Sequence, residues 1–371
     1  MTDSFGLKML SFFSKLGWKK LILWVLNICA VTALIILTIV LQAGRNSLPE
    51  QLLAKRWADN KGVSQISLFL SEDLLVDRQN VKQIRYTLEK SLESQSITPE
   101  SPSARLYVDA YASFGELSLK GPKKSMSVTA IGTGGDFFLF HPVELTGGNY
   151  FSENDVMQDV VLLDEETAWQ LYGATDIVGK DVEIAGEPYR VAGVYKREQG
   201  KLETMAGSSG VTVFLPYERL ETLQDGTGIA VYEILMPNPV KGFAVEELKK
   251  CVTYEESDSI MIENTTRFGY EALYRLFKTR ANRTMRTDDI ILPYWENLAR
   301  VKEEKLMETA LLQVMLAAGL FVYWFVMLMR FVVTHKPTKQ TFERIGDYIK
   351  TFTRKRKKVK GEDVQNEEVR F

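Results

Sequence analysis

Two stretches of the chain are apolar almost without interruption, and the long segment between them is patterned quite differently. The first is Leu21–Leu41, LILWVLNICAVTALIILTIVL, and the second is Ala310–Met329, ALLQVMLAAGLFVYWFVMLM, in which Gln313 is the polar exception outside the aromatic positions. About 20 such residues in a helix span a bilayer core of about 30 Å. A cleaved signal peptide has an apolar core of about 7–15 residues and a small-residue cleavage site. LQAGRNS fits that poorly, so the first run is read as an uncleaved anchor. The second run is apolar on every face, which argues against a buried core helix.

Between the runs the period shortens and varies. Val63–Leu70, VSQISLFL, alternates and then becomes fully apolar, as a strand does. Asn80–Gln95 places Val81, Ile84, Leu88 and Leu92 at helical spacing. Arg105–Ala110 reads as a second strand, giving a β-α-β unit with a right-handed crossover. From about Ser113 to Pro216 short strands dominate. Ser125–Ile131 alternates, and Val160–Leu163 is a short buried strand. Asp164 then caps the helix EETAWQLYG, with Gly173 as its stop. Val182–Ile184 and Tyr189–Tyr195 flank a turn at AGEP and form a hairpin. After Tyr217 the β/α pattern returns, with IAVYEILMP as a strand and GFAVEELKKCV as a helix carrying Phe243, Leu248 and Val252 near one face. Ile291–Arg330 contains Pro293 and Gly319 but reads as nearly one helix, longer than a single bilayer core. Its first part would be a stalk, unless KEEK at Lys302–Lys305 marks a hinge.

The predicted class is therefore α+β. A split β/α subdomain carries an inserted β-rich subdomain, and this extracytoplasmic domain lies between two transmembrane α-helices. The expected divisions are a cytoplasmic N-terminus at 1–20, a span at 21–41, the large domain at 42–308, a span at 309–333 and a cytoplasmic tail at 334–371. Within the large domain the β/α subdomain would occupy about 60–112 and 226–290, the insertion about 113–225, and the stalk about 294–308.

Charge orients this arrangement. Lys8, Lys15, Lys19 and Lys20 precede the first run, and a dozen Lys and Arg lie from Arg330 to Arg370. The positive-inside rule then places both ends in the cytoplasm and the large domain outside it, at a bacterial plasma or inner membrane. The net charge of the whole chain, −2, conceals a segregation, because residues 42–308 hold 30 Lys and Arg against 41 Asp and Glu. No global pull toward nucleic acid exists. In the tail, Phe342, Ile345, Ile349 and Phe352 recur at three and four residues beside Arg344 and other basic residues. That is the pattern of a basic amphipathic helix for anionic lipid or a partner's groove, with an ordinary solvated tail as the plain alternative.

Candidate chemistry is sparse. The chain has 2 Cys and 2 His, too few for a disulfide framework, and an unpromising stock for a zinc site or a Ser/Cys–His pair. It lacks GxxxxGK[ST]. The glycines at Gly132-x-Gly134-Gly135 lack the third glycine of a dinucleotide loop, and no helix is expected to open after them. Phe137–Phe140 is read as a buried aromatic strand, with Gly135 and Asp136 turning the chain into it. Phe138 and Phe140 should not both face solvent. The acids at Asp155, Asp159 and Asp164–Glu166 are accounted for by surface charge and capping. His141, between Phe140 and Pro142, reads as a turn or core histidine. No catalytic residue, cofactor or metal ligand is expected.

Leu145–Lys196 carries a more specific pattern. Its parts are the Gly-x-x-Phe entry at Gly148–Phe151, the strand and helix VVLLDEETAWQLYG, DIVGK at Asp176–Lys180, and the hairpin VEIAGEPYRVAGVY. Together they resemble the periplasmic core domain of MacB-type ABC transporter permeases, in the broader FtsX-like permease class. The resemblance implies a split β/α subdomain with a β-rich insertion. The residues read as a structural motif at the junction of the two subdomains are Gly135, Asp136, Phe138, Phe140, Gly148, Phe151, Asp164, Gly173 and Gly179. The resemblance also implies a separate ABC ATPase as partner, together with a full permease or a second copy, and makes Phe342–Phe352 the candidate coupling helix. Permeases of this type have four spans, whereas two are read here, and no fused ATPase domain is read in these residues. A membrane-anchored sensor or scaffold is the alternative function.

Overall fold

In the strand Val63–Leu70, even-numbered Ile66, Leu68 and Leu70 pack on one side of the sheet, while Gln65, Ser67 and Phe69 face the other. That alternation, forced by the pleat, organises the whole domain. The computed structural model describes residues 18–99, 101, 104–197, 200–206, 210–255, 257–279, 290 and 292–335. In chain order the elements are α1 (Trp18–Arg45), α2 (Leu53–Ala58), β1 (Val63–Leu70), α3 (Arg78–Ser94), β2 (Val108–Lys120), β3 (Ser125–Gly135), α4 (Phe137–Phe140), β4 (Glu144–Gly148), β5 (Val160–Asp164), α5 (Glu165–Tyr172), β6 (Asp181–Ile184), β7 (Glu187–Lys196), α6 (Lys201–Ala206), β8 (Thr212–Pro216), α7 (Tyr217–Leu223), β9 (Val231–Pro237), α8 (Phe243–Cys251), β10 (Ser259–Glu263), α9 (Tyr270–Thr279) and α10 (Tyr294–His335).

The described residues fall into two units, one holding those through Ile36 and from Leu312 onward, the other Leu37–Leu311. In the first unit the helices are long and apolar enough to cross a membrane, and their apolar windows are not buried by protein. Two polar side chains there donate to their own helix. Asn27 Nδ2 donates to Leu23 O at 2.9 Å, and Thr32 Oγ1 to Ile28 O at 2.9 Å. Bonds of this kind lower the cost of placing such residues in hydrocarbon.

The second unit is built on one mixed sheet with strand order β10-β1-β9-β2-β3-β8-β5-β7-β4. Strand β9 lies antiparallel between β1 and β2, so the β1-α3-β2 unit is split by a strand from much later in the chain. Helix α3 buries Val81, Ile84, Leu88 and Leu92 against Ile66, Leu68, Tyr232 and Ile234. Asp77 begins it with a capping box, accepting from Asn80 N at 2.9 Å. The second strand starts at Val108, three residues later than the apolar pattern from Arg105 indicates, because Arg105 instead reaches the carboxylate of Asp136.

Strands β2 and β3 continue far beyond this half as an antiparallel pair, from Ala110↔Gly135 to Lys120↔Ser125. At their far end β6 pairs with both β2 and β7. The pairing thus closes a ring of six strands, β2-β3-β8-β5-β7-β6. All six contribute to one apolar cluster, including Leu119, Ala130, Val182, Val191, Leu163 and Val213. Closure removes exposed strand edges at this end of the sheet.

Candidate functional site

The pleat places Ser67 of β1 opposite Glu233 of β9, both buried and on the face away from α3. A carboxylate in an apolar strand must find donors, and Glu233 has two. Ser67 Oγ donates to its Oε1 at 2.5 Å, and its Oε2 meets His141 Nε2. Ser67 Oγ in turn accepts from Asn264 Nδ2 at 2.7 Å, and Asn264 Oδ1 accepts from Arg267 Nη1 at 3.3 Å. The relay ends on α10. Arg267 donates to both oxygens of Glu296 at 2.6 and 2.8 Å, and to those of Glu303 at 2.8 and 3.2 Å. Glu296 also accepts from Arg300 Nε at 2.8 Å. Glu296, Arg300 and Glu303 are four and three residues apart, so they share one helix face. Burial opposes the charge on Arg267, but Glu296 and Glu303 outweigh it and raise its pKa further. The His141 ring lies 4.5 Å from that of Trp295 and 4.6 Å from that of Phe137.

A second polar site lies on the other side of the sheet, where α3 meets the turns beyond β3 and β4. It is an open cleft of about 700 Å³ lined by Arg78, Arg85, Arg105, Asp109, Asp136 and Glu153 among others. Glu153 joins the halves of the domain. It accepts from Arg78 at 2.7 Å, from Tyr111 Oη at 3.1 Å and from the Gly135 N–H at 2.8 Å. Burial would raise its pKa, but Arg78, Arg85 and the Gly135 N–H together hold it below the ordinary value. Asp109 receives Arg85 through two bonds, at 2.7 and 3.1 Å, and Tyr232 Oη at 3.0 Å. Burial works against the guanidinium of Arg85, and Asp109 with Glu153 overcomes it, leaving the pKa raised.

The residues singled out from the sequence separate into two groups. Gly135, Asp136, Phe138, Phe140 and Phe151 come together. Gly135 holds φ +64°, and a Cβ there would lie 2.5 Å from Asp109 O. Asp136 donates its N–H to Asp109 O at 2.8 Å and pairs with Arg105. Phe140 is fully buried, Phe151 nearly so, and half-buried Phe138 stacks on Tyr150 at 4.7 Å. Phe137–Phe140 is a single helical turn, not the strand its composition indicates, and a helix does open after the glycines. The positive φ at Gly135 ends the strand, and Phe140 N then returns to Asp136 O. Gly148, at φ +82°, closes the β4 edge against Ala192 and Gly193. Asp164, Gly173 and Gly179 lie apart, on the six-strand ring. Asp164 Oδ1 accepts from Glu166 N and Thr167 N at 3.0 and 3.2 Å, Gly173 ends α5 at φ +73°, and Gly179 N donates to Val191 O at 2.8 Å. Phe342, Arg344, Ile345, Ile349 and Phe352 lie outside the described residues.

The relay was not read from sequence. Its signals were a lone acid in an apolar strand, Glu233, and Glu296, Arg300 and Glu303 at helical spacing. Neither reveals its partner, because Arg267 is 29 residues from Glu296 in the chain.

A model of the MacB-like periplasmic core domain matches residues 28–246. The chain belongs to the MacB-like periplasmic core domain family. Relatives include the macrolide export ATP-binding/permease protein MacB 2 of Aeromonas hydrophila, 35% identical over 101 residues, which are 27% of this chain and 15% of that protein. MacB of Aggregatibacter actinomycetemcomitans is 28% identical over 195 residues, 48% of this chain and 28% of its own. The chain thus spans well under a third of the length of these MacB relatives. Among solved structures, the periplasmic region of MacB from Actinobacillus actinomycetemcomitans aligns over 62% of this chain and 99% of its own, with 17% identity and TM-score 0.40. The extracellular domain of the noncanonic ABC-type transporter YknZ from Gram-positive bacteria aligns over 53% and 99%, with 14% identity and TM-score 0.36.

Proposed function

We propose that this chain is the membrane subunit of an ABC-type mechanotransmission complex. A separate cytoplasmic ATPase drives it, and its extracytoplasmic domain binds cargo or a partner. Membership of a permease domain family supports the reading, and one structural observation carries it. A single helix, α10, bears both the second apolar run and the carboxylates that grip Arg267. A buried, multiply hydrogen-bonded ion cluster resists slippage. Displacement of α10 along its axis would therefore move the β10–α9 segment and, through Asn264 and Ser67, the sheet. The cleft around Glu153 is the proposed recognition site for cargo or partner, since it joins both halves of the domain through charged groups able to exchange partners. Both chain ends are assigned to the cytoplasm, where Phe342–Phe352 would meet the ATPase.

Co-purification of the full chain in mild detergent tests this. An ATPase should emerge at stoichiometric yield, and removal of 338–371 should abolish its recovery. Recovery of the chain alone, or of the ATPase with the truncated chain, would overturn the coupling role. The anchored sensor or scaffold would then be the better account of the cleft.

A further inference from the structure

Helix α9, Tyr270–Thr279, has two apolar faces. Its inner face sends Leu273 and Leu276 into a cluster with Leu41, Leu306 and Ala310. Leu41 closes the first apolar run of the sequence and Ala310 opens the second, so α9 packs against the residues that border both runs. Its outer face carries Tyr270, Tyr274 and Phe277, spaced by four and three, at 48%, 55% and 49% exposure. Three half-exposed aromatic rings in a row are unfavourable in water but suit a membrane interface, where an apolar ring body and a polar edge are both accommodated.

Basic groups accompany the rings. The Arg45 guanidinium lies over Tyr270, 4.6 Å from its centroid, and Lys278 Nζ lies 4.7 Å from that of Tyr274. Beside α9 is a cleft of about 440 Å³ whose lining includes Arg45, Lys55, Lys241 and Arg275 with Glu271, the last paired to Lys241 at 3.0 Å. Nε and Nη2 of Arg45 are buried and find no acceptor among the described residues, a costly arrangement for a guanidinium unless an anion supplies one. This basic site is set in a domain segment carrying 30 Lys and Arg against 41 Asp and Glu, a net of −11. A second copy of the chain is a poor occupant, because a two-fold contact would press this basic patch against itself.

We infer that α9 is an interfacial helix of the extracytoplasmic domain, with Tyr270, Tyr274 and Phe277 seated among lipid headgroups and Arg45 and Arg275 holding the phosphate of an anionic phospholipid. It would set the height of the domain on the bilayer and counter the repulsion of an acidic domain by an anionic surface. The inference does not depend on the ATPase partner.

The test uses the full chain with Cys29→Ser and Cys251→Ser, carrying Phe277→Cys or Trp169→Cys labelled with bimane, in nanodiscs of phosphatidylcholine with or without phosphatidylglycerol. Nitroxide lipids labelled near the headgroup should quench the label at 277 strongly and the label at 169, on α5, hardly at all. Equal quenching at both sites, or free access of aqueous iodide to 277, would overturn the placement. So would disulfide crosslinking between copies through the 277 cysteine in place of lipid contact. The phosphatidylglycerol-dependent gain in binding of headgroup-labelled lipid should fall roughly 25-fold in the double variant Arg45→Gln with Arg275→Gln, about fivefold for each charge. An unchanged preference would overturn the phosphate site, and tryptophan emission of the double variant checks that it remains folded.

Discussion

Arg267 and Glu296 form a bidentate ion pair, at 2.6 and 2.8 Å, with both side chains buried. The pair joins the loop after β10 to the first turn of α10. Removing one member leaves a buried charge without its partner, which costs about 3–5 kcal/mol, whereas replacing the whole cluster with apolar groups can be neutral. Arg267→Met should therefore destabilise the domain by about that amount. The quadruple change Arg267→Met, Glu296→Met, Arg300→Met, Glu303→Leu, which also removes the buried Arg300 that bonds Glu296, should recover much of the loss. Thermal unfolding of the detergent-solubilised chain measures both. If the cluster transmits movement, the quadruple variant regains stability but not partner-dependent function.

The two strand ends that require glycine differ from ordinary turns. At Gly148 a Cβ would lie 2.1 Å from Ala192 O, and at Gly135 it would lie 2.5 Å from Asp109 O, both on backbone that cannot swing away. Gly179 has a similar φ of +80° but open space around it. Gly179→Ala should cost about 1–2 kcal/mol from the left-handed backbone alone. Gly148→Ala and Gly135→Ala should each cost clearly more, seen as a larger fall in midpoint temperature.

Asp164→Ala removes the cap of α5, where Asp164 accepts two backbone N–H bonds and one from the Thr167 hydroxyl. The loss should be about 1–2 kcal/mol, and Asp164→Asn should restore most of it.

The parts of the fold legible in the sequence are those set by neighbours in the chain. Val81, Ile84, Leu88 and Leu92 at helical spacing, Asp164 before Glu165 and Glu166, and the turn at Ala185-Gly186 all rest on contacts within a few residues. Each appears in the structure. Phe137–Phe140 was misread because four apolar residues in a row fit a buried strand or a buried turn of helix equally well. The choice is made by Gly135 at positive φ and by Phe214, Trp295 and Tyr150, which surround the rings from distant elements. The polar relay was invisible for a similar reason. Ser67, Glu233, Asn264 and Glu296 meet through sheet register and tertiary packing, and the local bonds of Asn264 to Arg267 and of Glu296 to Arg300 do not reveal those distant partners.

Glu153 links acidity to the union of the two halves of the domain. Its pKa is depressed from the ordinary 4.5 by Arg78, Arg85 and the Gly135 N–H, which outweigh the opposing effect of burial. A carboxyl whose folded value lies below its unfolded value contributes stability that is fully present above the unfolded value and lost as pH falls through the folded one. The native chain should therefore lose part of its stability on acidification below about pH 4.5. Glu153→Gln keeps the shape and the acceptor for Gly135 N–H but abolishes the titration. It should be less stable than the native chain at neutral pH, and the difference should shrink as pH falls. The comparison requires unfolding midpoints of both chains across the acid range. A constant difference at all pH values would mean that Glu153 acts through packing alone, and that Arg78 and Arg85 draw no electrostatic benefit from it.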